Sequence, residues 1–275
     1  MAIITISRQM GTGAYEITKD VVKRLKYSVV DGSRIAELAS AYGLSEEELQ
    51  RVVEKPPVSL TDEDQRQAAH LSAIELLLLE GCRQGNVVIY GRGGQDLLAG
   101  MDNVLRLRFV APFDDRVENF AEREWIDPDL ARTLIRKSDQ QRGGFIHFYF
   151  DRDWSDPLGY DLIFNTSRLT PGTVVESIIA AVRDPELIRA EAESLRLLED
   201  KILCKRIETE LLKSVSVEYL HFRATVEKGV VTFSGHVHNE AERKSALAIA
   251  KGVPGTVRVI DHLQVVEYRR YRGER

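Results

Sequence analysis

The sequence predicts an α/β fold, a parallel sheet with helices on both faces, followed by a smaller α+β unit. Three features carry that expectation. Short apolar runs alternate with amphipathic stretches from the N-terminus to about residue 183. A leucine- and charge-rich stretch with helical spacing follows over residues 184–213. Beyond it the apolar period drops to two, as in strands with one buried face, whereas the earlier apolar runs suit strands buried on both faces.

In chain order, the apolar runs Ile3–Ile6, Tyr27–Val30, Val87–Tyr90, Leu105–Val110 and Asp161–Phe164 are expected strands. Each is short, and the residues between them recur at helical spacing. Helices are expected over Glu16–Leu25, Arg34–Tyr42, Ser45–Val53, Glu63–Gly81, Asp114–Glu124, Pro128–Lys137 and Pro171–Val182. In 184–213, Leu195, Leu198, Ile202, Leu203, Ile207 and Leu211 repeat at helical spacing, and Pro185 suits a first helical turn. This stretch either packs on its own neighbours or pairs with a second copy. Next, Leu220, Phe222, Ala224 and Val226 alternate, as do Val231, Phe233, Gly235 and Val237, with Glu227–Gly229 as a hairpin turn. A helix over about Asn239–Lys251, capped by Asn239, and a last strand within Val253–Val266 complete the unit. The expected boundaries are a first domain over 1–183, a helical linker over 184–198, a second unit over 199–267 and a basic tail over 268–275.

Composition excludes several classes. With 43% hydrophobic and 29% charged residues the chain is ordinary for a globular protein, and no apolar run approaches the roughly 20 residues a membrane span needs. Arg8 and Gln9 interrupt the first apolar run, so it does not read as a secretory signal. Two distant cysteines suggest neither a disulfide framework nor a metal site. A cytoplasmic location is the expectation. The net charge of −5 divides into −8 over residues 1–196 and +3 over 197–275, and the ending YRRYRGER supplies the positive excess. That tail suits contact with RNA, an acidic partner or anionic lipid, or is simply a solvated end. No specific nucleic-acid partner is expected.

The first strand runs into IITISRQMGTGAYEI, with Gly11 and Gly13 before a helix. Glycines let backbone N–H groups approach phosphate oxygens, and the helix that follows aims its positive end at the same anion. Against G-x-x-x-x-G-K-[ST] the match is partial: with Gly13 as the second glycine, Arg8 stands at the first, Ala14 at the lysine and Tyr15 at the metal-holding hydroxyl. From these residues alone, a phosphate loop and a glycine-rich turn without ligand are both open.

Four segments occur in a familiar order: ISRQMGTGAYEI, VVDGSRI, VVIYGRGG and YDLIFNTS. On these, residues 2–182 resemble the cytidylate-kinase-like proteins, relatives of the nucleoside monophosphate kinases. The resemblance implies a P-loop kinase-type five-stranded parallel sheet, a nucleotide monophosphate site and a mobile lid, with ATP and Mg²⁺ as cofactors. The family commonly carries a Ser-Arg pair before its glycines and lacks the lysine; Arg8 is then the candidate replacement, its guanidinium gripping phosphate oxygens as a fork. Gly11, Thr12, Gly13, Ala14 and Tyr15 would form the nucleotide loop, although the family often has an arginine where Tyr15 stands. Asp31, which ends the second strand, would hold Mg²⁺ or the acceptor through water, or is a turn residue in Asp-Gly-Ser. Arg92 follows the third strand at the sheet edge where α/β folds bind ligands. Cytidylate kinases read Gly-Arg-Asp there, and Gly93 replaces that aspartate.

Residues 132–153 resemble the lid. Arg136, Asp139 and Arg142 sit three apart on one helix face, so the arginines would stabilise the transferring phosphoryl group and Asp139 would orient one of them, unless the three simply form a solvated ion-pair face. Gly143-Gly144 is a candidate hinge, and Phe145, Phe148, Tyr149 and Phe150 read as local packing. The histidines show no metal-ligand spacing: His236 and His238 share a strand face with no other ligand nearby in sequence, so no protein-held metal is expected. Residues 199–267 are similar to a BON domain, which implies a binding module for protein or phospholipid. Three functional readings follow: a monophosphate kinase acting on a CMP-like acceptor, a pseudo-kinase sensing nucleotide for the second module, and a scaffold without ligand.

Overall fold

A computed structural model describes residues 2–45 and 62–266. The expected helix Ser45–Val53 and the basic tail lie outside the described residues. Five parallel strands form the first sheet in the order β2-β3-β1-β4-β5: β1 (Ile3–Arg8), β2 (Ser28–Val30), β3 (Val87–Tyr90), β4 (Val104–Val110) and β5 (Leu162–Asn165). The central strand β1 pairs Ile4 with Val88 on one side and Leu105 on the other. Side chains alternate across a strand, so Ile3 enters one hydrophobic core while Ile4 and Ile6 enter the core on the opposite face. Burial on both faces is why this strand begins as a mostly apolar run, Ile3–Ile6, broken only by Thr5.

Helices α1 (Ala14–Leu25) and α7 (Pro171–Ala181) cover one face, supplying Ile17, Val21, Val174 and Ile178. The other face packs on α2 (Gly32–Leu38) and α3 (Asp62–Gly81), whose Ile74, Leu77, Leu78 and Leu79 are almost wholly buried. A four-residue helix, α4 (Gly94–Leu97), follows β3. Helices α5 (Phe113–Glu124) and α6 (Pro128–Phe150) pack on each other through Val117, Phe120, Ala131 and Ile135.

One expectation is corrected here. The helix expected to end at Lys137 continues to Phe150, and Gly143-Gly144 lie within it. Each glycine costs a helix roughly 1 kcal/mol relative to alanine; burial of Phe145 and Ile146 in the first core holds the segment helical. The stretch 184–213 divides at Ala190 into α8 (Pro185–Arg189) and α9 (Glu191–Lys213), and α9 passes without a break through the 198/199 point where linker and second unit were expected to meet.

Helix α9 belongs to two cores. Leu198 and Ile202 complete the α3 side of the first domain, whereas Leu203, Ile207 and Leu211 enter the core of the second unit. Polar contacts reinforce the junction with α3: the buried hydroxyls of Ser72 and Thr209 lie 3.0 Å apart, and Lys205 bridges Glu75 at 2.6 Å and Glu208 at 2.5 Å. The second unit has strands β6 (Phe222–Glu227), β7 (Val230–Val237) and β8 (Arg258–Val265), with helix α10 (Glu240–Gly252). β6 and β7 form an antiparallel hairpin, and β8 adds parallel to β7. Lys228 and Gly229 both have positive φ, as a tight turn matching the strand twist requires.

Asn239 caps α10 through its Oδ1, which accepts from the Glu242 N–H at 2.9 Å. Asn239→Ala is expected to cost about 1 kcal/mol, read as a lower urea midpoint. An unchanged midpoint would show that this cap contributes nothing.

Candidate functional site

The loop after β1 is built from two glycines with different duties. Gly11 has φ +85°, and a Cβ there would stand 2.4 Å from the Arg116 carbonyl oxygen, so its side chain is excluded by α5. Gly13 also has positive φ, +69°, but a Cβ there would meet nothing within 4 Å. Gly13 opens α1, and no side chain caps the N–H groups of its first turn. The Thr12 hydroxyl closes the loop internally by donating to the Gln9 carbonyl at 2.9 Å. Ala14, at the lysine position, is buried in the core beneath α1, so only its N–H is available to a phosphate.

Tyr15 and Asp31 contact each other directly. The Tyr15 hydroxyl donates to Asp31 Oδ2 at 3.1 Å, and Asp31 Oδ1 accepts from the Arg34 N–H at 3.0 Å, capping α2. The Asp31 hydrogen bond and charge raise the Tyr15 phenol above its ordinary value. Asp31 thus caps α2, the turn role that the Asp-Gly-Ser reading also offered. Among the described residues, the carboxylates near the loop form no metal-ligating cluster with imidazoles or thiols.

Arg8, Arg92 and Arg142 come together. With Ser7, Gly93, Gln95, Ile146 and Trp154 they line a cavity at the carboxyl edge of the sheet. The Arg8 guanidinium lies over the Tyr90 ring, 4.6 Å from its centroid, and Arg142 donates to the Arg8 carbonyl at 3.2 Å. Arg92 itself has φ +57°, a conformation uncommon outside glycine, held between Gly91 and Gly93. The cavity measures only about 10 Å³, room for a single water at most.

Two features close it. The Trp154 indole donates to the buried Ser7 Oγ at 2.8 Å, fastening the segment after α6 over the end of β1. Buried Arg108 supports that segment from β4: its guanidinium stacks on Trp154 at 4.3 Å and donates to the Tyr160 hydroxyl at 2.9 Å. Burial raises the Tyr160 phenol. The second feature is Phe150, which occupies the space beside Gly93; a Cβ on residue 93 would stand 2.5 Å from its Cε2. The aspartate expected from cytidylate kinases does not fit while Phe150 stays where it is.

Asp139 is corrected too. It orients neither Arg136 nor Arg142; its Oδ2 accepts from Arg116 Nη1 at 2.6 Å and its Oδ1 from the Met10 N–H at 3.1 Å. Arg116 in turn donates to the Met10 and Ala111 carbonyls, both at 3.1 Å. One buried ion pair thus clamps both sides of residue 10, at the root of the glycine loop. Arg136 is exposed and lies over the Phe113 ring, 4.9 Å from its centroid, away from the arginine-lined cavity.

The sequence does not single out Arg116, Arg108 or Trp154, and it reads Phe150 only as local packing. Arg116 falls in an ordinary charged helix, PFDDRVENF, and nothing in that spacing marks a partner 23 residues away. Trp154 falls one residue beyond the expected lid, and the sequence gives it no role of its own.

The sheet order, the glycine loop at the end of β1 and the arginines at the sheet edge define a P-loop kinase domain. Its sequence identifies the branch: the Cytidylate kinase-like family matches residues 3–168, more than half of the chain, and the chain belongs to that family. The BON domain family matches residues 199–267. The chain is 31% identical to the cytidylate kinase of Pyrococcus horikoshii over 183 residues, spanning 66% of this chain and 88% of that one. It is 29% identical to the cytidylate kinase of Methanopyrus kandleri over 199 residues, or 69% and 96% of the two chains. In fold it is similar to an uncharacterized protein from Eubacterium ventriosum, with a TM-score of 0.53 and 19% identity, covering 67% of this chain and 99% of that one. No described helix is long and apolar enough to cross a membrane.

Proposed function

We propose that the N-terminal domain transfers the γ-phosphoryl group of ATP to the phosphate of a nucleoside monophosphate, CMP being the acceptor suggested by the relatives' names. The observation that supports this reading is the convergence of Arg8, Arg92 and Arg142 on one cavity beside the open, uncapped start of α1. An acceptor phosphate oxygen attacks the γ-phosphorus in line, the bond to the β–γ bridging oxygen breaks, and ADP leaves with that oxygen. Gly13 and the first-turn N–H groups hold the donor phosphates. Arg8 supplies the charge that lysine provides elsewhere, Arg92 holds the acceptor phosphate, and Arg142 meets the charge on the group in transit. Mg²⁺ enters with the nucleotide, held mainly by phosphate oxygens and water, and neutralises the developing charge. A nucleotide does not fit a cavity of about 10 Å³, so substrate entry requires Trp154 and Phe150 to move outward.

A pseudo-kinase is the second reading, favoured by buried Ala14, by the Tyr15–Asp31 pair and by Phe150 against Gly93. In that reading the domain binds nucleotide without turnover and transmits this through α9 to the BON module, which binds a protein or phospholipid partner.

ADP formation from Mg-ATP with CMP, dCMP, UMP, AMP or GMP separates the readings. The kinase reading expects turnover with one acceptor and a loss of ~10²-fold or more in kcat/KM for Arg8→Ala and for Arg92→Ala. ATP binding without turnover on any acceptor selects the pseudo-kinase, and no ATP binding rejects both.

A further inference from the structure

The C-terminal unit carries a second cluster that no part of the kinase reading uses. Three of the six histidines, His221, His236 and His238, meet beside Glu218 at one end of the β6–β7 hairpin. We propose that Glu218, His221 and His238 bind one divalent transition-metal ion of the Zn²⁺ class.

The geometry begins with Gly235. It pairs with Phe222 across the hairpin at φ +125°, and a Cβ there would stand 2.6 Å from the His221 carbonyl oxygen and 2.7 Å from Phe222 Cα. Only a residue without a side chain lets β7 pass so close to residue 221. That approach stacks the His236 ring on His221, with centroids 5.0 Å apart, and sets the His238 ring edge-on to it at 5.1 Å. Val237 between the two histidines is wholly buried, so the histidines project from the opposite face of the strand.

A single buried carboxylate fixes the frame. Glu242, in the first turn of α10, accepts from the Glu218 N–H at 2.8 Å through Oε1 and from the His238 N–H at 2.7 Å through Oε2. It therefore ties the backbones of two ligand-bearing residues, which lie on different elements, to one helix. Outer contacts of this kind set the precision of metal sites.

The candidate ligand atoms of Glu218, His221 and His238 all lie within 4.8 Å of one another. Within the set, His238 Nε2 stands 2.8 Å from Glu218 Oε2 and His221 Nε2 stands 3.7 Å from Glu218 Oε1. Bond lengths of about 2.0–2.2 Å in a tetrahedral site require ligand atoms about 3.3 Å apart, a change within side-chain rotation. Two imidazoles and one carboxylate suit Zn²⁺ and its neighbours, whereas Mg²⁺ and Ca²⁺ take oxygen donors. Three protein ligands leave a fourth position for water. Glu218 and His238 also border an open cleft of about 570 Å³ lined by Ser214, Ser216 and Asn239, so that position is reachable.

The test uses the full chain, untagged, stripped with chelator and titrated calorimetrically with Zn²⁺ or with Mg²⁺. One Zn²⁺ per chain is expected, with affinity falling ~10-fold or more in His221→Gln, in His238→Gln and in Glu218→Gln. Excess Mg²⁺ should not displace it, and Zn²⁺ should raise the melting temperature of the wild type but not of His221→Gln. His70→Gln, remote from the cluster, should bind as the wild type does. The three ligand positions are substantially solvent-accessible, so circular dichroism should show these variants folded. Absence of Zn²⁺ binding by the wild type overturns the proposal, as does equal binding by the folded His221→Gln and His238→Gln variants.

Discussion

Asp139→Ala is expected to lower the unfolding free energy by about 3–5 kcal/mol, because it leaves the Arg116 charge buried without its partner. The Arg116 side chain is only 6% exposed and that of Asp139 only 19%, so water cannot take over from the lost carboxylate. The same change releases the Met10 N–H, which Asp139 holds at 3.1 Å, and with it the root of the glycine loop. Stability and ATP affinity should therefore fall together. Removing both charges, as in Arg116→Met with Asp139→Leu, should recover much of the stability, since the unpaired charge and not the lost attraction dominates the cost. Urea unfolding of the single and double variants checks this. A loss below ~1 kcal/mol in Asp139→Ala would place the pair with ordinary surface ion pairs and refute the clamp.

Gly11→Ala carries the second large effect. A methyl at position 11 meets a backbone carbonyl 2.4 Å away, which no rotamer change can relieve, and L-residues pay roughly a further 1–2 kcal/mol for the left-handed conformation. The loop must move away from α5, breaking the contacts of Arg116 with Met10. Gly13→Ala supplies the contrast, since it has the same backbone sign but open space around the new methyl. Gly11→Ala should therefore melt well below Gly13→Ala and lose measurable ATP binding. Gly13→Ala should remain folded, with a weaker grip on phosphate where its methyl enters the anion's approach. Equal melting temperatures for the two variants would show that the Gly11–Arg116 contact does not restrain the loop.

The sheet was legible because its logic is local. Strands buried on both faces are mostly apolar, and Ile3–Ile6 and Val87–Tyr90 announce themselves in that way, while Leu105–Val110 keeps Leu105, Leu107, Phe109 and Val110 around Arg106 and Arg108. Helix caps were legible for the same reason: Asn239 precedes its helix and bonds three residues on. The site was legible where an element delivers a residue to the sheet edge, as β1 delivers Arg8 and the turn after β3 delivers Arg92, and where the lid helix supplies Arg142. Asp139 was misassigned because periodicity fixes the face of a helix but not what that face meets; its partners, Met10 and Arg116, come from a loop and a different helix. The end of α6 was misplaced at Lys137 because packing of Phe145 and Ile146 overrides the low helix propensity of Gly143-Gly144. The histidine cluster was invisible because Glu218 and His221 precede β6 while His238 ends beyond β7, and the two meet only through the close crossing at Gly235.

Helix α9 bears on the order in which the chain is made. The core on the α3 side of the first domain draws on residues from Ile3 to Ile146, yet Leu198 and Ile202 form one of its walls. A ribosome that has finished every strand of the first sheet has released a domain still open along that side. The closing wall arrives with α9, whose next residues, Leu203, Ile207 and Leu211, then wait for β6, β7 and α10 to be synthesised. Each domain is thus briefly incomplete at the same helix, first on one flank and then on the other. A stop codon placed after residue 198 would strand a growing first domain without Ile202, and the exposed flank of α3 would become a place for unfinished chains to stick to one another.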